Sequence, residues 1–138
     1  MKNLKSLMFL TAFLLTLQST LAQADECRIA GKWKSNEEKT LQNMRSAQLT
    51  ETQRKRLSSV VFGKLIISYT CKGFVTTYEG KEDAYQFITM KESGDIVTIE
   101  MLDPVSNKKI INKLILNGDC YSSHSKGLGF DEVFCRVK

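Results

Sequence analysis

From Lys64 to the C-terminus the hydrophobic residues repeat with a period of two, and turn-forming pairs cut the run into short segments. About seventy consecutive residues with this pattern restrict the chain to antiparallel strands joined as a meander, because no helix tolerates that period. Leu65-Ile67-Tyr69 alternates along strand B. Lys72-Gly73 is read as a two-residue turn, and Phe74-Thr76-Tyr78 returns along strand C. Gly80-Lys81-Glu82-Asp83 reads as a longer turn into strand D, Ala84 to Lys91. Ser93-Gly94 leads into strand E, Ile96 to Leu102. The connection Asp103-Pro104-Val105-Ser106-Asn107 precedes strand F, Lys109 to Leu116. Asn117-Gly118 is the strongest hairpin signal and opens strand G, Asp119 to Ser123. The loop Ser125 to Gly129 leads to strand H, Phe130 to Val137.

Upstream, Ile29 to Trp33 is apolar and β-prone and reads as strand A, ending in Gly31-Lys32-Trp33. Ser35-Asn36-Glu37-Glu38 has the form of a capping box with Ser35 at the N-cap, followed by Leu41, Met44, Arg45, Gln48 and Leu49. Thr50-Glu51-Thr52-Gln53 is a second such box, ahead of Leu57, Val60 and Val61. Two helices this short need an apolar surface to dock on. At the start of the chain, Lys2 and Lys5 precede an apolar run from Leu7 to Leu17, and Ala22-Gln23-Ala24 fits a small-x-small cleavage site. Residues 1–24 are therefore expected to be a signal peptide cut after Ala24, and residues 25–138 one domain that is secreted or periplasmic. The run is too short to cross a bilayer, so no integral membrane segment is expected in the mature chain.

Loss of the leader lowers the net charge of +5 by two. The remaining basic residues cluster only at Arg54-Lys55-Arg56 and Lys108-Lys109, which does not make a nucleic-acid footprint. Cys27, Cys71, Cys120 and Cys135 are expected to form two disulfides after export. With no CxxC and only His124 as histidine, zinc is a poor alternative, and no metal or other cofactor is expected.

Eight strands in up-and-down order have alternate connections at alternate ends. The B–C, D–E and F–G turns share one end and are tight. The longer C–D, E–F and G–H connections share the other with the two helices. The expected architecture is mainly β: an eight-stranded antiparallel up-and-down barrel with a two-helix lid between the first and second strands. All four cysteines then fall at the tight-turn end. Centring the G–H hairpin between Gly127 and Leu128 sets Cys120 opposite Cys135, and strands A and B bring Cys27 near Cys71. This layout favours Cys27–Cys71 with Cys120–Cys135 over Cys27–Cys135 with Cys71–Cys120, although sequence alone leaves both open.

Gly31-Lys32-Trp33, the meander and Arg136 near its end together resemble the lipocalins, and the helix pair after the first strand resembles the fatty-acid-binding proteins. The chain thus resembles the calycin group. By position, Trp33 matches the tryptophan at the closed base of such barrels, and Arg136 the arginine of the last strand that lies across it. The resemblance implies an exported binding protein for a small hydrophobic or amphipathic ligand. An exported protein-interaction module or enzyme inhibitor, acting through the mouth loops around Asp103 to Lys108 and Ser122 to Gly129, is the alternative.

The ligand-binding candidates are Met44 and Leu57 from the helices, Tyr69 and Tyr78 from the richer face of B–C, Phe87 from D, and Arg136. Trp33 is read as core. Arg136 has two readings, a ligand partner or a cation–π contact with Trp33. Beyond strand C, apolar residues occupy both faces: Ile88 and Met90 against Tyr85 and Phe87 in D, and Leu114, Tyr121 and Phe134 against Ile111, Ile115 and Val133 in F–G–H. A cavity with a few polar groups would account for this, and so would an outer patch used for homodimerisation. No Ser/His/Asp arrangement or phosphate loop is recognisable, so no enzyme is expected. Glu100, Glu132 and Arg136 are the only titratable groups that this reading places on one face.

Overall fold

A computed structural model describes residues 26–44, 49–60, 62–125 and 129–138. The expected leader, residues 1–24, lies outside the described residues, as do Arg45, Gln48 and Val61 of the helical pattern. Nine strands form one antiparallel sheet with two helices: β1 Gly31–Ser35, α1 Glu37–Met44, α2 Glu51–Val60, β2 Ile66–Tyr69, β3 Gly73–Tyr78, β4 Lys81–Gln86, β5 Thr89–Ser93, β6 Ile96–Leu102, β7 Lys109–Asn117, β8 Cys120–Ser125 and β9 Phe130–Arg136. The strand order is β4-β3-β2-β1-β9-β8-β7-β6-β5. The sheet curls into a half-barrel and does not close.

Two expectations are corrected here. The strand count is nine rather than eight, and the barrel is open. Both follow from one event in the expected strand D. The chain pairs with β3 as far as Gln86, steps through Phe87 and Ile88, and then pairs with β6 from Thr89. The Phe87 amide donates to the Lys72 carbonyl on one side of the step (2.8 Å), and the Ile88 amide to Glu100 on the other (2.7 Å). The alternation also changes phase at this point. Phe87 and Met90 both pack on the main core although they are three residues apart. A regular strand would send them to opposite faces.

The turns shift too. Tyr69 pairs with Phe74, so the B–C turn is Cys71-Lys72 rather than Lys72-Gly73. Gly73 is the first residue of β3, paired with Gln86, and the position needs glycine because a Cβ there would land against the Tyr85 carbonyl of β4. Ser93 pairs with Ile96 and Asn117 with Cys120, which places Gly94-Asp95 and Gly118-Asp119 at the turns, one residue later than expected. In each the glycine takes the first central position with positive φ (56° and 59°), a conformation that costs glycine little. Lys81 pairs with Tyr78, so the expected long C–D turn is a tight one at Glu79-Gly80.

The helices stand between β1 and β2. Asn36, not Ser35, caps α1: its Oδ1 accepts from the Lys39 amide (2.9 Å). Ser35 is instead the last residue of β1 and is buried. The second box is as expected. Thr50 Oγ1 accepts from the Gln53 amide (3.2 Å), and Gln53 Oε1 from the Thr50 amide (2.9 Å). α1 lies along β9 where β1 has ended. The Asn36 amide donates to the Val133 carbonyl, and the Val133 amide to Thr40 Oγ1 (3.0 Å), so the backbone that β1 leaves bare is satisfied.

The main core lies on the concave side. Ile29, Trp33, Ile67, Tyr69, Val97, Ile99, Leu114, Tyr121 and Phe134 are all buried there. A second, smaller core joins Met44 of α1 to Phe62 and Phe130, with Leu41, Leu49 and Leu57 packed around them. At the tight-turn end, Cys27 is bonded to Cys71 and Cys120 to Cys135. The β8–β9 register sets Cys120 directly opposite Cys135. Two disulfides fit an oxidising compartment. Among the described residues no helix is long and apolar enough to cross a membrane.

Candidate ligand site on the concave face

Curling the sheet brings β2 and β3 toward β6, β7, β8 and β9 without filling the space between them. A cavity of about 360 Å³ remains, walled by Leu65, Ile67, Tyr69, Phe74, Ile99, Leu114, Tyr121 and Phe134, with Asn112, Ser123, His124 and Glu132 also on its lining. The aromatic part of this wall is packed ring against ring. Tyr121 lies edge-on to Trp33 (5.0 Å between centroids) and stacks on Phe134 (5.1 Å), while Tyr69 meets Phe74 (5.3 Å). These contacts fix the ring positions, so the cavity is bounded by side chains that have little freedom to collapse into it.

Its polar part joins two buried tyrosine hydroxyls to the half-buried Asn112, Ser123 and Glu132 and the exposed His124. The Tyr69 and Tyr121 hydroxyls are 3.3 Å apart, one donating to the other. Burial pushes the Tyr69 phenol up to about 12, against the easing effect of the Tyr121 hydrogen bond. Burial likewise raises Tyr121 well above the ordinary tyrosine range, and the neighbouring Tyr69 and Glu132 push it further. Glu132 Oε1 accepts from the Ser35 hydroxyl (2.9 Å). Its carboxyl is held above the usual carboxylate range by burial, with the Ser35 hydrogen bond acting in the opposite direction. His124 is occupied by Asp131, Nδ1 to Oδ1 at 2.8 Å.

The sequence candidates are distributed unevenly around this cavity. Tyr69 lines it. Met44 and Leu57 belong to the second core and do not reach its wall. Tyr78 is half-buried at the end of β3, off the lining. Phe87 packs on the main core at the β4–β5 step. There it borders a larger space of about 540 Å³, lined mostly by the Thr70–Phe74 turn and the facing strand edges. Arg136 lies over the Trp33 ring, 4.3 Å from its centroid, and donates to the carbonyls of Ala30 (2.8 Å) and Arg28 (2.6 Å). Of its two readings, the cation–π contact is the one its geometry matches. Nor do Glu100, Glu132 and Arg136 converge: Glu100 is paired with Lys109 (2.7 Å), on the face opposite Ile99 and Glu132.

Sequence reading missed Tyr121 and Glu132 as a pair. The signal was present, since both fall on the period-two face that also carries Leu114 and Phe134. Among the described residues no group of three or more His, Cys, Asp or Glu is placed to hold a metal ion. No family model, curated protein or solved structure matches the chain.

Proposed function

We propose that the protein binds a small amphipathic molecule in the concave cavity, as an exported carrier or receptor of calycin type. The observation that carries this reading is the cavity itself. It is walled by aromatic and aliphatic side chains, converges on a few polar groups, and falls within the size range of small-molecule sites. The Arg136 guanidinium over the Trp33 ring supports the calycin resemblance. The expected homodimer has less behind it. Val133 on the convex side is covered beside α1, but Ile96, Ile111 and Ile115 remain about half exposed on β6 and β7.

Binding of an environment-sensitive naphthalene dye to the full chain tests the reading. Ser123→Phe projects a ring from β8 into the cavity and is expected to weaken dye binding at least tenfold. Lys113→Ala, on the opposite face of β7, is expected to leave it unchanged. Equal binding by both variants would place the dye elsewhere and refute the cavity.

One observation favours the second reading, a protein-interaction module. The Asp103–Lys108 connection is a fixed loop, because the Asp103 carboxylate accepts from the Val105 amide (2.9 Å) and from the Ser106 amide (2.7 Å) and hydroxyl (3.0 Å). Those same bonds hold its carboxyl below the usual range. The loop presents Val105 at 94% exposure. A pull-down with Val105→Asp as control distinguishes this role from small-molecule binding.

A further inference from the structure

Resting on the cavity reading, we infer that the ligand is an organic cation: a protonated amine on an apolar or aromatic skeleton, with its nitrogen held by Glu132 and the surrounding tyrosine and phenylalanine rings. The first argument is the charge of the lining. Among the described residues that wall the cavity there is no lysine or arginine. The two ionisable groups apart from the tyrosines are Glu132 and His124, and His124 is already turned to Asp131. The second is what Glu132 lacks. Among the described residues its hydrogen-bond partner is one neutral hydroxyl, Ser35, and no ion pair includes it. Ser35 is itself engaged, accepting from the Gly63 amide (3.2 Å). A carboxylate that is partly withdrawn from water and holds a single neutral donor is under-compensated, and a cation supplies the missing charge.

The third argument is the aromatic surround. Tyr69, Phe74, Tyr121 and Phe134 all line the cavity. Ring faces carry negative electrostatic potential and attract a desolvated cation, which adds to the carboxylate's pull. The same groups disfavour an anion. A carboxylate or phosphate in this cavity would meet Glu132 with no cation to offset it, although the chain as a whole is basic. A neutral alcohol can take a hydrogen bond from this site but gains neither the ion pair nor the cation–π term.

Three probes of matched skeleton separate these cases: 2-(1-naphthyl)ethylamine, 2-(1-naphthyl)ethanol and 1-naphthylacetate, each titrated calorimetrically into the full chain at neutral pH. The expected order is amine tighter than alcohol by about tenfold, with the acid weakest. Glu132→Gln keeps an acceptor for Ser35, and is expected to weaken the amine about tenfold while moving the alcohol less than about twofold. Equal binding of amine and alcohol by the unaltered protein overturns the cation inference and leaves the cavity reading standing; this comparison needs no variant to fold. An amine preference that survives Glu132→Gln also overturns it. Failure of all three probes to bind at millimolar concentration overturns both readings.

Discussion

Removing the two disulfides one at a time should destabilise the protein unequally, and the order can be worked out from where they sit. Cys27–Cys71 closes a loop of 44 residues and Cys120–Cys135 one of 15. In the chain-entropy account, a cross-link stabilises by restricting the unfolded chain, with a cost that grows as the logarithm of loop length. At 25 °C this gives about 4 kcal/mol for the longer loop and about 3 kcal/mol for the shorter one. Packing acts in the same direction, since Cys27 is partly buried against the main core. The pair Cys120 and Cys135 faces across a ladder that the β8–β9 hairpin forms without them. The double variants Cys27→Ala/Cys71→Ala and Cys120→Ala/Cys135→Ala should therefore differ by about 1 kcal/mol or more, the first being the less stable. Urea unfolding followed by tryptophan fluorescence measures this directly, because Trp33 is the one tryptophan and is buried in the core. Both variants should also show a larger denaturant slope, as the uncrossed chain expands further on unfolding. Greater destabilisation from losing Cys120–Cys135 would refute the argument. It would mean that the unfolded chain is already restricted between residues 27 and 71, or that the short bond props up a hairpin unable to stand without it.

Other outcomes follow from single groups. The Tyr69 phenol, lifted to about 12 by burial, keeps its proton in the folded protein when the unfolded chain has lost it near pH 10. The unfolded state therefore binds fewer protons across that window, and stability falls as pH rises from about 10 to 12, by about 2–3 kcal/mol. Tyr69→Phe should flatten this fall relative to the unaltered protein in urea titrations at stepped alkaline pH; an unchanged slope would show that the hydroxyl is not buried. For Glu132 the sign is the same at the acid end. A carboxyl raised by burial makes the folded state lose stability as pH climbs through and above the ordinary glutamate range, so Glu132→Gln should gain relative to the unaltered protein between pH 4 and pH 7. Gly73→Ala forces a Cβ onto the Tyr85 carbonyl, with the Gln86 Cα 3.2 Å away, and neither backbone atom can yield cheaply. A loss of about 2–3 kcal/mol is expected in the same urea assay, and a loss under about 0.5 kcal/mol would show that β3 and β4 can separate there.

Much of this architecture was legible in the sequence because period and turn chemistry act locally. The capping box at Thr50 and Gln53, the register that faces Cys120 to Cys135, and Trp33 in the core all follow from residues close together in the chain. The first N-cap was misread because Ser35 and Asn36 are both good caps. The choice between them rests on Glu132, far along the chain, which takes the Ser35 hydroxyl. Strand D was misread for a related reason. Its apolar residues on both faces have a third cause beside a cavity or a dimer patch: the alternation slips by one at Phe87-Ile88, where the strand changes partner. Similarly, Val133 is apolar on the convex side because α1 covers it there, a contact between distant segments that no local pattern encodes. The cavity was legible only as a tendency. Which side chains wall it depends on how far the sheet curls.

The step at Phe87-Ile88 has a consequence for how the molecule could be rewired. Both outermost strands of the sheet belong to adjoining segments of chain, and the first and last strands lie side by side in its middle, with the Val137 amide bonded to the Lys32 carbonyl. A polypeptide begun at Thr89, joined tail to head through a short linker, and finished at Gln86 would lay down its strands in spatial order from one border to the other, each against the one made just before. Every hydrogen-bonded ladder would survive. In that sense the native order of synthesis starts the sheet from its centre, and its two flanks are tied together by a single two-residue hinge.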